Sequence, residues 1–580
     1  MTDHALNPAE QAAAVADAEV ENCIRHNRSF RLEAGAGAGK THSLISALRF
    51  LIRERGAAFA KARQRIACIT YTNVAKNEID TRTDSNPLIY SGTIHSFCWA
   101  LIQDFQPRLR EIVPTLAKWE ERIAEHGSIG QRKIVYNLGH PKIEERQVLL
   151  GHDDVIALTV QFLPLPKFRR LMVERFPVLF IDEYQDTDRN FAEALRTHVL
   201  GGQDGLLLGL FGDAWQKIYG SGCGAIQHDA LHFIGKGANF RSAPRIVEAL
   251  NRIRPELPQN PRDPHGGGFV GVYHTNDWPG ARRTGQHWGG DLQPDAARQA
   301  LEQMRHRLAG EGWSFTGDKT KILALTHKVL AAEQGYKELA DAFAYNDSFV
   351  KKEDAFIAYF ADKLEPACVA YSKKRYGEMF AILEADDSLI ATPADKAAWT
   401  QEMNALLALR LNGTVAAVLD HLKAAQRIPF PDALRQIDQE LDRDWPAASA
   451  DEPSACTRLR NMRPVVYQQV INLVAFIEGH TPFQTKHGVK GAQFENVLVI
   501  FGRGWNHYNF EQFLAWNGQP PPDQTDFYER NRNLFYVVCS RPQQRLALLF
   551  TQRLNTHALA TLGAWFGVGA IHSLPPPNQN

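Results

Sequence analysis

Residues 28–52 read RSFRLEAGAGAGKTHSLISALRFLI. The stretch has the pattern of a strand, a Gly/Ala-rich turn and then a helix. Small residues at Ala34, Gly35, Ala36, Gly37, Ala38 and Gly39 let successive backbone N–H groups turn toward one point. That nest and the helix N-terminus behind it make an anion site. Lys40 adds a charge for β- and γ-phosphates, and Thr41 adds a hydroxyl for Mg²⁺. The strict phosphate-loop pattern asks for Gly where Ala34 stands. The alternative is a Gly/Ala-rich turn with an unrelated lysine; the strand–loop–helix context argues for the phosphate loop.

Further along, LFIDEYQDTD at 179–188 runs from an apolar strand into Asp182, Glu183, Asp186 and Asp188. Carboxylates at the end of a core strand are costly unless something compensates them. A triphosphate on the preceding loop needs Mg²⁺, which takes one or two carboxylates plus water and phosphate oxygens. Asp182 is the expected metal residue and Glu183 the expected base for an attacking water. An acidic surface turn is the bland alternative. GDAWQKIY at 212–219 ends another apolar run, and Gln216 is placed to sense a γ-phosphate. Arg241 in NFRS and Arg541 in YVVCSRP are candidate arginine fingers; taken singly, each would read as a solvated arginine. Tyr71, Phe97, Trp99, Trp215 and Tyr219 lie in the same loops, where aromatic faces suit stacking on unpaired bases. Phe97 and Trp99 fit core packing equally well. His95 suits a phosphate contact or a core hydrogen bond.

The chain has 580 residues, too many for one core. It is 44% hydrophobic and 22% charged, with 65 basic and 65 acidic residues, so net charge selects no partner. Any nucleic-acid surface has to concentrate its basic residues locally. MTDHALNPAE has neither the basic nor the apolar region of a signal peptide, and no apolar run is long enough to span a bilayer. The seven cysteines form no C-x-x-C pair, which argues against zinc or iron–sulfur sites and for a reducing cytoplasm. Strand–helix alternation recurs in RIACITYTNVAKNEI, VLFIDEYQD and LLLGLFGDAWQ. It predicts an α/β fold with parallel sheets and ligands at the strands' carboxyl ends. Residues 102–150 have helical spacing and suggest an insertion. Residues 255–295, rich in Pro and Gly, read as a linker region. The α/β grammar returns at KTKILALTHKVLAAEQGYKELADAF, gives way to amphipathic helices over 346–462, and resumes in NVLVIFG and LFYVVCS…RLALLF.

The motif order resembles the superfamily 1 helicases of the UvrD/Rep/PcrA type. The match runs through LNPAEQ, AGAGAGKT, TYTNVAKNEI, GTIHSFC, DEYQD, GDAWQKIY, NFRS, TKHGVKGAQFENV and NLFYVVCSRP. The resemblance implies two RecA-like P-loop domains, each with a mainly helical insertion. The first would take 1–101 and 151–262 around an insertion at 102–150. The second would take 263–345 and 463–580 around an insertion at 346–462. ATP and Mg²⁺ are the implied cofactors, bound between the domains. Gln11 would read the adenine edge and Phe240 would stack near the base. Arg241 would reach the γ-phosphate from the first domain and Arg541 from the second. Tyr71, Asn73, His95 and Tyr219 match positions near a DNA strand, and His487 and Lys490 match the motif that links ATP to DNA. Translocation 3′ to 5′ on single-stranded DNA or a 3′-tailed duplex follows from the same resemblance. KGAQF carries Gln493 where the family has Glu near the nucleotide sugar. GSGCGAI replaces a Trp-bearing segment, so that base platform is missing or supplied by Trp215. The second insertion is shorter than in the large members.

More loosely, the chain resembles the compact helicase subunits of Gabija-type phage-defence systems, which pair with a separate nuclease. The short tail after YVVCSRP implies no fused nuclease domain. Three functions follow for testing: a DNA motor, a sensing ATPase that activates a partner nuclease, and a P-loop signalling ATPase indifferent to DNA.

Overall fold

The computed structural model describes residues 6–576 except 138–140, 203–204, 218–219, 221, 325–330, 332–333, 344–346, 385–389, 391, 426, 442–453, 479–480, 482, 486–492 and 504–507. Tyr219, His487 and Lys490 lie outside the described residues.

The chain is α/β, built on two six-stranded sheets. The first holds β1 (Phe30–Ala34), β2 (Ile66–Thr70), β3 (Ile89–Thr93), β4 (Val178–Asp182), β5 (Leu207–Gly212) and β6 (His232–Lys236) in the order β3-β2-β4-β5-β1-β6. Every pairing in it is parallel. β2, β4 and β5 are buried along their whole length, as expected for runs such as IACIT and VLFID with helices on both faces. Alternate residues feed two cores. Cys68, Phe180 and Phe211 pack beneath Pro8–Arg25 and Lys40–Ala62, while Ile69, Ile181 and Leu210 pack under Ile94–Ile102 and Arg189–His198.

The second sheet holds β7 (Phe269–His274), β8 (Thr320–Ala324), β9 (Phe483–Thr485), β10 (Phe494–Phe501), β11 (Pro542–Phe550) and β12 (Ile571–Ser573) in the order β9-β8-β10-β11-β7-β12, again all parallel. Between β8 and β9 the named elements among the described residues are helices, including Pro393–Asn412 and Val415–Ala424.

Three local readings are refined. The 255–295 region is not only linker: GFVGVYH forms β7, an interior strand between β11 and β12. Its glycines disguise it, yet the space beside Gly271 is filled by the rings of Phe269 and Tyr273, each 2.9 Å from where a Cβ would stand. In the 102–150 insertion, helices Gln106–Ile112 and Ala117–His126 are followed by a small sheet of Lys133–Tyr136, Lys142–Ile143 and Gln147–Leu150. In LFYVVCS…RLALLF, where the α/β grammar resumes, LFYVVC is the end of helix Thr525–Cys539, apolar all round because it is buried all round, and RLALLF is in β11.

Candidate nucleotide cleft between the two sheets

The loop after β1 turns through left-handed Gly37 and Gly39, both at φ 76°, and delivers Lys40 as the first residue of a 23-residue helix. A Cβ on Gly37 would stand 2.8 Å from both Arg241 Cβ and Asn239 Oδ1, so only glycine fits. Ala34 is the last residue of β1, in register with Lys236 and fully buried. An extended strand position makes no demand for glycine, so the shortfall from the strict pattern causes no strain.

β5 lies between β1 and β4, which sets the acids of β4 beside the loop. Lys40 Nζ lies 3.6 Å from Glu183 Oε2. Asp182 is buried, and its Oδ1 has no hydrogen-bond partner. Burial, then the charge of Glu183, pushes its pKa up to about 7, with Lys40 pulling the other way. A buried carboxylate oxygen without a donor fits the hard-oxygen demand of Mg²⁺. Glu183 adopts φ 47°, ψ 46°, a left-handed conformation costing a non-glycine residue about 1–2 kcal/mol. Gln185 steadies it: its Nε2 donates to Glu183 Oε2 at 2.6 Å, while its Oε1 accepts from Asp213 N at 3.0 Å.

Gln216 sits between the sheets. Its Nε2 donates to Asp213 Oδ2 at 2.7 Å, and its Oε1 accepts from Arg541 Nη2 at 3.3 Å. Arg541 is 1% exposed; burial, then the like charge of Arg241, pushes its pKa down to about 9. Arg241 donates from Nη1 to Ser540 O at 3.1 Å and is held below the usual arginine range by burial. These residues border a single cleft of about 330 Å³, lined by Gly35–Thr41, Glu183, Gln216, Phe240, Arg241, Gln493 and Arg541. Phe240 is 38% exposed and packs 3.7 Å from the Cβ position of Gly39.

The remaining sequence candidates lie outside this cleft. Gln11 is exposed in the first turn of Pro8–Arg25, with its amide donating to Leu6 O at 2.7 Å. Tyr71 and Asn73 are exposed just beyond β2, and His95 follows β3, so all three stand at the carboxyl end of the first sheet. His95 packs edge-on to His152 at 4.7 Å; burial first, then His152, lowers its pKa. Phe97 belongs to the core, and Trp99 packs on Tyr136 at 6.1 Å. Trp215 is not an open base platform. Arg254 and Arg532 lie over its ring at 5.1 and 4.2 Å, and Tyr536 abuts it at 5.5 Å.

The sequence reading missed a buried ionic group behind the cleft. Arg254 is 4% exposed and pairs through Nη1 with Asp213 Oδ1 at 2.5 Å and through Nη2 with Glu33 Oε1 at 3.2 Å. Glu33 also accepts from Tyr184 OH at 2.6 Å and Ala214 N at 2.7 Å. The one signal was Glu33 itself, a charge in the strand that leads to the phosphate loop.

With this geometry in place, likeness to known proteins becomes informative. Residues 17–222 match a family model described as an AAA domain. Gabija protein GajB of Bacillus cereus (strain HuB5-5) is 23% identical over 91% of this chain and 94% of its own length. The ATP-dependent DNA helicase PcrA of Staphylococcus aureus is 23% identical, and the ATP-dependent DNA helicase Rep of Salmonella typhimurium 27% identical, each over 38% of this chain. The chain is UvrD/Rep/PcrA-like. It spans 37% of PcrA and 40% of Rep, so likeness to them covers less than half of either. Among the described residues no helix is long and apolar enough to cross a membrane.

Proposed function

We propose that this chain is an ATP-driven DNA motor that hydrolyses ATP between two RecA-like domains and moves 3′ to 5′ on single-stranded DNA. The observation that carries the reading is one cleft bordered by Lys40, Glu183 and Gln216 from the first sheet and Arg541 and Gln493 from the second. We assign 1–101 and 151–262 to the first domain, and 263–345 and 463–580 to the second, with insertions at 102–150 and 346–462.

In this account the loop N–H groups and Lys40 bind the β- and γ-phosphates of the substrate. Thr41 and Asp182 would hold Mg²⁺, which neutralises phosphate charge when bound. Glu183, held by Gln185, accepts the proton of the attacking water. Arg241 and Arg541 stabilise charge on the transferred phosphoryl group. Gln216 couples the γ-phosphate to the second domain through Arg541. Phe240 stacks near the base, Gln11 reads its edge, and Gln493 meets the sugar with an amide in place of a carboxylate. Tyr71, Asn73 and His95 carry the DNA strand across the first sheet, and Tyr219, His487 and Lys490 continue that assignment from sequence. All seven cysteines are free thiols, which supports a reducing compartment. Unwinding of 3′-tailed and 5′-tailed duplexes, with Glu183→Gln as blank, tests the polarity. Unwinding from the 3′ tail alone supports it; preference for the 5′ tail contradicts it.

One observation favours a second reading: likeness to GajB runs over 91% of the chain, against 38% for PcrA and Rep. In that reading the same ATPase senses DNA or nucleotide and activates a partner nuclease, with little unwinding of its own. Co-purification with a nuclease, and cleavage that depends on Lys40, would favour it.

A further inference from the structure

The nucleotide cleft takes its second-sheet residues from the amino ends of the strands, since Gln493 precedes β10 and Arg541 precedes β11. The carboxyl ends of β7, β10 and β11 carry a different concentration of charge. The loop leaving β7, residues 275–292, folds back over those ends. Leu292 N donates to Thr551 O at 3.2 Å, Arg553 N to Gly290 O at 2.9 Å, and Leu554 N to Asn276 Oδ1 at 2.8 Å. Arg282, Arg283, Arg503 and Arg553 all emerge here. Phe501 and Phe550 are in register on adjacent strands, so the loops that carry Arg503 and Arg553 start from neighbouring strand ends.

Arg282 serves the fold, donating from Nη1 to Thr551 O at 2.8 Å. The other three do not. Among the described residues, the side chains of Arg283, Arg503 and Arg553 have no hydrogen-bond acceptor and no ion-pair partner within 4.0 Å. Arg503 Nε is buried without a partner, and burial holds that guanidinium below its usual range. Arg503 Nη1 lies 3.9 Å from the Cβ position of Gly289, which places it against the 275–292 loop. Arg283 lies over the ring of Trp288 at 3.5 Å. Asp291, in the same loop, is buried; it accepts from Arg503 N at 2.8 Å, Leu292 N at 3.0 Å and the Thr551 hydroxyl, and its charge acts on Arg283 and Arg503. Glu511 is the other acid facing Arg503, and it accepts from Asn555 Nδ2 at 2.5 Å.

Asp291 offsets part of the charge of Arg283 and Arg503, and Glu511 part of that of Arg503, yet neither gives a guanidinium a hydrogen-bond acceptor, so the donors of the three are left for an incoming anion. The eight residues of β10, at about 3.3 Å each, span about 26 Å, so these groups cannot reach the phosphates of a nucleotide in the cleft. Arg553 is exposed and Arg283 and Arg503 are half-buried, each on a different loop. That layout suits successive phosphates of a strand better than one small anion.

We propose that Arg283, Arg503 and Arg553 form a nucleic-acid phosphate site at the carboxyl end of the second sheet, separate from the nucleotide cleft. Trp288 braces Arg283 and offers an aromatic surface beside the phosphates. The choice of nucleic acid as the ligand rests on the DNA-motor reading; the anion site itself rests on the arginines.

The test is anisotropy of a labelled single strand bound to the full chain without nucleotide, across rising NaCl. It compares wild type, the triple variant Arg283→Gln/Arg503→Gln/Arg553→Gln and the matching triple Lys variant. Each lost phosphate contact removes about 0.7 from the slope of log K against log salt on single strands, so the Gln variant should lose about 2. The Lys variant should keep most of the slope, and DNA-independent ATP turnover should stay at the wild-type rate in both. Equal affinity and slope in the Gln variant overturn the site while leaving the motor reading in place. Equal loss in both triple variants with a lowered melting temperature assigns the arginines to the fold and also overturns it. If pyrophosphate stabilises wild type but not the Gln variant while DNA binding is unchanged, the ligand is a free phosphate compound and the nucleic-acid assignment falls. A wild-type chain that binds no single strand overturns both readings.

Discussion

Replacing Arg254 by Met is the sharpest test of how the cleft is built. The guanidinium is buried between two carboxylates, 2.5 Å from Asp213 and 3.2 Å from Glu33, which are themselves almost wholly buried. Met removes the guanidinium that lies over Trp215 and Tyr536, leaves Asp213 without its ion-pair partner, and leaves Glu33 with only the longer pair to Arg31 Nε at 3.7 Å. Removing one partner of a buried ionic group costs about 3–5 kcal/mol, because the remaining charge stays desolvated. In a domain of this size 1 kcal/mol corresponds to about 2–4 °C, so the melting temperature should fall by about 6–20 °C. Arg252→Met is the matched control. Arg252 pairs with Glu248 on the surface, where an i,i+4 pair contributes about 0.3–0.5 kcal/mol and the shift should stay within about 2 °C. Adding Glu33→Gln and Asp213→Asn to Arg254→Met should recover much of the loss, since neutral amides no longer demand the cation. Differential scanning calorimetry on the four proteins reads this directly. An Arg254→Met protein that melts within about 2 °C of wild type would refute the view that this group is held by mutual compensation of its charges.

Lys40→Ala should abolish ATP turnover, and Glu183→Gln should keep nucleotide binding while losing hydrolysis; filter binding and phosphate release separate the two. Gly37→Ala forces a Cβ against Arg241 and Asn239 at a left-handed φ, so nucleotide-induced stabilisation should be lost, as read by thermal shift with and without ATP. His95 has a pKa lowered by burial and then by His152, so the fold favours its neutral ring. That contribution is full above the ordinary value of about 6.5 and is lost as pH falls through the depressed one. His95→Gln should therefore shrink the drop in melting temperature between pH of about 7.5 and about 5.5, and an undiminished drop would contradict the assignment.

The phosphate loop and the acids of β4 were legible because each is a contiguous run whose chemistry follows from its own residues. Context along the chain, a strand before and a helix after, was enough to place Lys40 and Asp182. What could not be read were contacts made by folding. Glu33 and Arg254 meet across 221 residues, and neither lies in a recognisable motif with the other. Trp215 looked available for stacking because sequence does not reveal Arg532, which comes from the second half of the chain to lie over its ring. β7 was hidden among Pro and Gly signals that correctly mark its flanks, and LFYVVC has strand-like composition because full burial removes helical periodicity. The arginines of the far sheet end were invisible for a related reason: they stand on three loops that are far apart in the chain.

The central claim, that nucleotide turnover in this cleft is coupled to a bound strand, is tested most directly by steady-state ATPase of the purified chain with and without single-stranded DNA, using Glu183→Gln as blank. The account predicts strong stimulation by DNA that is absent in the blank. Turnover at the same rate with and without DNA would contradict it and assign the chain to sensing or signalling instead.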